Sequence, residues 1–232
     1  MTIQITRHTI IPAGFMQIRA PKTAAAAVGW WVVPGKTCVA AYQAKGAASL
    51  AASYVNLPTP ATYDLTLFGS GLTWDAADGW GTNWATNRFL HTGITPANDG
   101  SWSMFVRYSA ASASYAIAVG ACKVSNTAGF AIGSGSSQRG WFVNVGALVC
   151  SVAPNYPAGV FGVTTEPYRD GVDVGVLSGS NPPASPIAIG GLYSMPILVS
   201  NVWAGYIQAV AIYSMSLSPA EAATLSAAMA AL

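Results

Sequence analysis

Apolar residues in this chain come in short runs, cut again and again by Gly, Ser, Asn and Pro. The longest, Ala24 to Pro34, has 11 residues and contains Gly29. A helix that spans a bilayer needs about 20, so this pattern predicts no membrane insertion. Helical periodicity is scarce, and short strands at close spacing predict an all-β sandwich or barrel. The segment Trp102 to Tyr108 is the cleanest strand. It places Trp102, Met104, Val106 and Tyr108 on one face and Ser103, Phe105 and Arg107 on the other. Further strands are expected at Thr2–Thr6, Val28–Val33, Cys38–Tyr42, Tyr115–Cys122, Ala128–Gly133, Trp141–Val145, Ile187–Gly191 and Tyr206–Tyr213. Lys45 to Tyr54 reads equally as a short helix or a small-residue strand.

Two local signals are sharper. Asp170-Gly171 between β-prone runs predicts a tight hairpin, because its turn needs positive φ. Ser218-Pro219-Ala220-Glu221 is a capping box with Pro in the first turn. With Leu225, Met229 and Leu232 at helical spacing, it predicts a short C-terminal helix packed on the sandwich. Pro58 and Pro60 then suggest a division into an N-terminal arm over residues 1–60 and a main domain over 61–232.

Charge narrows the function classes. Only 8% of the 232 residues are charged and the net charge is +2, against about 25% charged in an average domain. No basic run exists to neutralise phosphates, which argues against nucleic acid. The 41 Ala and 24 Gly take up part of the apolar content at little area each. The rest suggests contact with sister chains, so a homo-oligomer is expected, with a trimer ahead of a dimer.

Three segments resemble the laminin-G-like (LamG-like) branch of the concanavalin A-like lectin/glucanase superfamily. They are Gly79–Ser109, the hairpin PYRDGVDVG at Pro167–Gly175, and the closing pattern IAIGG followed by WAGYIQAVAIYSMSLSPAEAATL at Trp203–Leu225. The arm segment Gly29–Leu57 is similar to the N-terminal part of LamG-like proteins of tailed bacteriophages. The resemblance implies a jelly roll of two antiparallel sheets with a short C-terminal helix. It also implies a non-enzymatic virion structural protein (capsid decoration, tail or fibre) on the particle exterior, in contact with other virion proteins. The alternative is a carbohydrate-binding module for host-surface attachment.

The chemistry-bearing residues fit a non-enzyme. Glycoside hydrolysis needs two carboxyl groups roughly 5–9.5 Å apart. The chain has only Glu166 and Glu221, the latter in the helix cap, and the paired-acid strand motif of glucanases is absent. No Gly-x-Ser-x-Gly elbow or phosphate loop occurs, and no catalytic residue or cofactor is expected. Zinc spacing is absent, and Cys38, Cys122 and Cys150 sit among apolar neighbours as buried thiols. Calcium is the one metal left open, at Asp75, Asp78 and Asp99 in Gly-rich loops. Against it stands the reading of Asp78-Gly79 as a turn and Asp75 as a local cap. For glycan binding, which pairs aromatic faces with hydrogen-bonding side chains, the loop candidates are Trp80, Trp84, Asn87, Arg88, His91, Trp141 and Tyr193. Arg107 is either solvated or part of a sugar-binding sheet face.

Overall fold

The computed structural model describes residues 29–81, 88–97, 101–109, 116–122, 129–134, 139–144, 148–151, 158–175, 185–191 and 205–232. In chain order these form β1 (Cys38–Gln43), α1 (Leu50–Ser53), β2 (Thr66–Phe68), β3 (Trp74–Asp75), β4 (Gly79–Trp80), β5 (Phe89–His91), β6 (Ser103–Tyr108) and β7 (Ala116–Cys122). There follow β8 (Gly129–Ser134), β9 (Arg139–Asn144), β10 (Leu148–Ser151), β11 (Gly159–Val163), β12 (Pro167–Arg169), β13 (Val172–Asp173), β14 (Ala188–Ile189), β15 (Ile207–Tyr213) and α2 (Pro219–Ala230).

Among the described residues the strands make two antiparallel sheets. One has eight strands in the order β13-β12-β11-β6-β15-β4-β3, with β1 added beside β15. The other has seven, in the order β10-β9-β8-β7-β14-β5-β2. The all-β sandwich with a C-terminal helix is thus the observed architecture.

The alternation of β6 sets its two faces. Met104, Val106 and Tyr108 enter the core between the sheets, together with Leu90, Val119, Ile132 and Ile189 from the facing sheet. Phe105 points the other way, into a second cluster on the outer face of the eight-stranded sheet. β15 lies in the same two environments. Ile207, Val210 and Ile212 face the inter-sheet core, while Ala209, Ala211 and Tyr213 lie in the outer cluster with Leu225 and Met229 of α2. Both faces are therefore covered, which is why this strand reads as an apolar run interrupted only by Gln208. Burial of Leu225 and Met229 contributes up to about 1.5–3 kcal/mol each.

The capping box forms as expected. The Ser218 hydroxyl accepts from the Glu221 N–H, and a Glu221 carboxylate oxygen accepts the Ser218 N–H at 2.7 Å. The Asp170-Gly171 turn also forms, with φ of 48° and 82°. Gly171 is required twice over, because a Cβ there would come within 2.8 Å of Ala223 Cα on α2.

Two expectations need correction. Residues 29–33 are a turn, not a strand, with Val32 N–H on the Gly29 carbonyl at 2.9 Å. Val33 is buried without strand pairing, Trp30 and Trp31 are half-buried, and Val32 is exposed. Val33 joins the outer cluster, Trp30 packs against it, and the Trp31 carbonyl accepts the Tyr213 hydroxyl at 2.6 Å. The division near residue 60 also falls inside the sandwich. β1 pairs with β15 from Gln43↔Ala209 to Cys38↔Tyr213, and Tyr42 is fully buried in the core. The segment over 45–54 resolves as the short helix α1, capped by Ser49. The expected strand at Thr2–Thr6 lies outside the described residues.

Candidate functional site

The seven-stranded sheet ends in the edge strand β2. Thr66 stands opposite His91, and Phe68 stands opposite Phe89. Leu67 packs against the inter-sheet core and Leu90 lies within it, so the alternation turns Thr66, Phe68, Phe89 and His91 outward. The Phe68 and Phe89 rings stack at 4.8 Å between centroids and 18° between planes. Phe89 is completely buried, whereas Phe68 is 41% exposed. The His91 ring meets Phe89 edge-on at 6.5 Å. These residues line an open concavity of about 240 Å³. Tyr63, a second exposed aromatic, lies beside Gly93 just past β5.

Burial pulls the His91 imidazole below its ordinary value of 6.5. The ring is therefore neutral at pH 7 and presents one N–H donor and one acceptor nitrogen. An exposed ring face flanked by a hydroxyl and a neutral imidazole can stack on an apolar ligand face and hydrogen-bond at its rim.

The other sequence candidates do not gather here. Trp80 is corrected outright: it is fully buried, and its Nε1–H donates to Ser53 Oγ at 2.8 Å. A stacking platform needs an open face, and Trp80 has none. It is buried because Asp78-Gly79 closes a tight β3–β4 hairpin, with Gly79 at φ 95° seated against the Ile207 carbonyl. Arg88 sits just before β5 and its Nη1 donates to the Gly71 carbonyl at 3.2 Å. Arg107 lies on the other sheet and is not simply solvated: its Nη1 donates to the Met229 carbonyl at 2.7 Å, near the end of α2. Trp84, Asn87 and Tyr193 lie outside the described residues, as does the Trp141 side chain.

The calcium reading fares poorly. Asp75 Oδ1 accepts the Ala77 N–H at 2.7 Å, the local-cap role, and Asp78 is exposed. Among the described residues no three His, Cys, Asp or Glu side chains come together as a metal-holding group, and Asp99 lies outside them. The donors present at this loop do not fit the ion. Cys38 is a free thiol, and burial pushes its pKa up to about 12. The other two cysteine side chains lie outside the description.

No family model matches the sequence, and no curated protein does. Among solved structures the chain is similar to domain 4 of AbnA, a GH43 extracellular arabinanase from Geobacillus stearothermophilus, in complex with arabinotriose. Identity is 14% and the TM-score 0.57, over 82% of this chain and 98% of that one. The shared fold is a two-sheet antiparallel β-sandwich. A sialidase from Trypanosoma rangeli, in complex with 2,3-difluorosialic acid, shares the arrangement at 12% identity and a TM-score of 0.53. That match covers 93% of this chain but 35% of the sialidase. At such identities the likeness concerns the fold, and function has to be argued from the site.

Sequence reasoning missed Thr66, Phe68 and Phe89. A signal was present in Asp64–Phe68, where Leu65 and Leu67 alternate with Thr66 and Phe68, which puts an aromatic ring on the face opposite the leucines.

Proposed function

We propose that this chain is a carbohydrate-binding module that takes a sugar ring on the Phe68 platform at the β2–β5 edge. The observation that carries this reading is the stacked Phe68–Phe89 pair, exposed on the Phe68 side, beside His91 and Thr66. Phe89, buried beneath, holds the Phe68 ring flat. Phe68 offers its open face to the C–H side of a pyranose or furanose, while Thr66 and His91 exchange hydrogen bonds with its hydroxyls. The arabinotriose bound to the arabinanase domain of like fold is consistent with this use of the sandwich. The module is non-catalytic in this reading, since Glu221 is held in the helix cap.

A glycan array with the full chain tests it. Binding to a related set of sugars, lost in Phe68→Ala, is expected. A blank array, or one unchanged by that substitution, overturns it.

A second reading concerns where the module is carried: a bacteriophage particle, with the LamG-like sandwich displayed outward and sister chains and other virion proteins as partners. Its support is the resemblance of Gly29–Leu57 to phage LamG-like proteins and the 8% charge content. Light scattering tests this second reading. A homo-oligomer, with a trimer favoured, fits the particle reading, and a monomer at high concentration removes it.

A further inference from the structure

The outer face of the eight-stranded sheet carries a pocket with polar groups in its lining that the platform does not use. The helix α2 covers Phe105, Ala209, Ala211 and Tyr213 but ends at Ala230, before the last residues of β6. Beyond its end lies an open pocket of about 330 Å³. This is at the lower end of the roughly 300–1,000 Å³ of small-molecule sites.

Its polar groups come from four places. Arg107 projects from β6, and Ser109 follows that strand. Gln208 is the extra residue of a bulge in β15, where Ile207 pairs with Tyr108 and Ala209 with Arg107. A bulge can re-aim a side chain, and Gln208 is only 4% exposed although it lines the pocket. Asp170 enters from the β12–β13 turn.

Two of these groups are already fixed. Arg107 is anchored by the Met229 carbonyl at 2.7 Å, and Asp170 Oδ1 accepts the Val160 N–H at 2.8 Å. Gly159 makes room for that carboxylate: its φ is 143°, and a Cβ there would lie 2.9 Å from Asp170 Oδ1. The pocket thus holds a guanidinium, a carboxylate, a carboxamide and a hydroxyl on one rigid sheet face. Each charge is already met, Asp170 Oδ2 by Arg169 Nε at 3.4 Å and Arg107 by the carbonyl end of α2, which disfavours a free anion or cation as occupant. Donors and acceptors are both present, which suits hydroxyls that must both give and take hydrogen bonds.

We propose that this pocket is a second binding site, specific for a single hydroxyl-rich ring, and distinct from the Phe68 platform. It rests on the carbohydrate-binding reading for the class of ligand, but not for its residues. Asp170 accepts two neighbouring hydroxyls, Arg107 and Ser109 donate to ring oxygens, and Gln208 does both. The recognised chemistry is a neutral pyranose or furanose, held by polar contacts without an aromatic stack, since Tyr108 is committed to Phe161 at 4.6 Å in the core.

Site-resolved NMR of the full chain tests this, with arabinotriose, methyl galactoside and methyl glucoside as probes. Saturable shifts are expected at the amides of Ser109, Gly159, Asp170 and Gln208 with at least one probe. Asp170→Asn keeps the Oδ1 acceptor, and Asn tolerates the left-handed backbone. It should weaken those shifts about tenfold, the loss of one charge-assisted hydrogen bond. Ser109→Ala, a lesser change, should weaken them a few-fold and guards against misfolding of the first variant. Shifts at Thr66, Phe68 and His91 alone, or pocket shifts that survive both variants, overturn the pocket and leave the platform standing. Shifts at the pocket alone do the reverse. Silence at both sets overturns both.

Discussion

The side-chain carbonyl of Asn56 accepts the backbone N–H of Ala41 at 3.0 Å, and the N–H of Leu57 donates to the Ala41 carbonyl at 2.9 Å. Ala41 lies on the free edge of β1, the side away from β15. Asn56, itself fully buried, also donates to the carbonyls of Val39 and Thr62 and to Thr59 Oγ1. One side chain therefore stands in for the next strand of the sheet. Open edges invite pairing with other chains, and this one is closed.

Asn56→Ala should lower the unfolding free energy by about 2–4 kcal/mol, because it leaves several buried polar groups without partners. Urea denaturation checks the stability. The exposed edge should also produce higher oligomers in size-exclusion chromatography. A variant with wild-type stability would show that water replaces the amide at no cost.

Gly171→Ala should destabilise by about 2–4 kcal/mol, from left-handed backbone strain and contact with Ala223. Gly35→Ala is its control. Gly35 has a φ of 74° but nothing within 4 Å of an added Cβ, so only the backbone penalty of about 1 kcal/mol applies. Thermal unfolding of the pair isolates the turn-to-helix contact, and equal losses would mean that the turn does not press on α2.

Acid should weaken the fold in two stages. The folded pKa of His91 lies below 6.5, so as pH falls through 6.5 the unfolded chain takes up a proton that the folded chain refuses. Stability declines there and levels off once pH is below the folded value. Glu221 is held below its ordinary 4.5 by the Ser218 hydrogen bonds first, then by Lys36. Its contribution, present above 4.5, is lost as pH falls through the lowered value. Denaturation midpoints against pH check this, and His91→Asn should flatten the first stage alone. A midpoint that rises on acidification would contradict both assignments.

What was readable in the sequence was local. The capping box, the Asp170-Gly171 turn and the two faces of β6 each depend on neighbours within a few residues. Trp80 was misread because WDAADGW has loop composition, yet its short turn folds the tryptophan into the core. The platform was hidden because it exists only when Phe68 is set opposite Phe89, a pairing that no local rule specifies. Gln208 looks like one more residue of an apolar strand. Only the bulge, which needs the register of both strands, gives it a pocket to face. The role of residues 38–57 was obscured by Pro58 and Pro60, which punctuate the chain without dividing the sandwich.

The most direct measurement is calorimetric titration of the full chain and of Phe68→Ala with oligosaccharides selected on the array, arabinotriose among them. Phe68 is partly exposed, so its removal should alter stability by no more than about 1 kcal/mol. Saturable binding by the unaltered chain, weakened about tenfold in Phe68→Ala at unchanged fold, is the predicted result, a loss of about 1.4 kcal/mol. Equal affinity of the two proteins would place sugar recognition away from the β2–β5 edge and contradict the account.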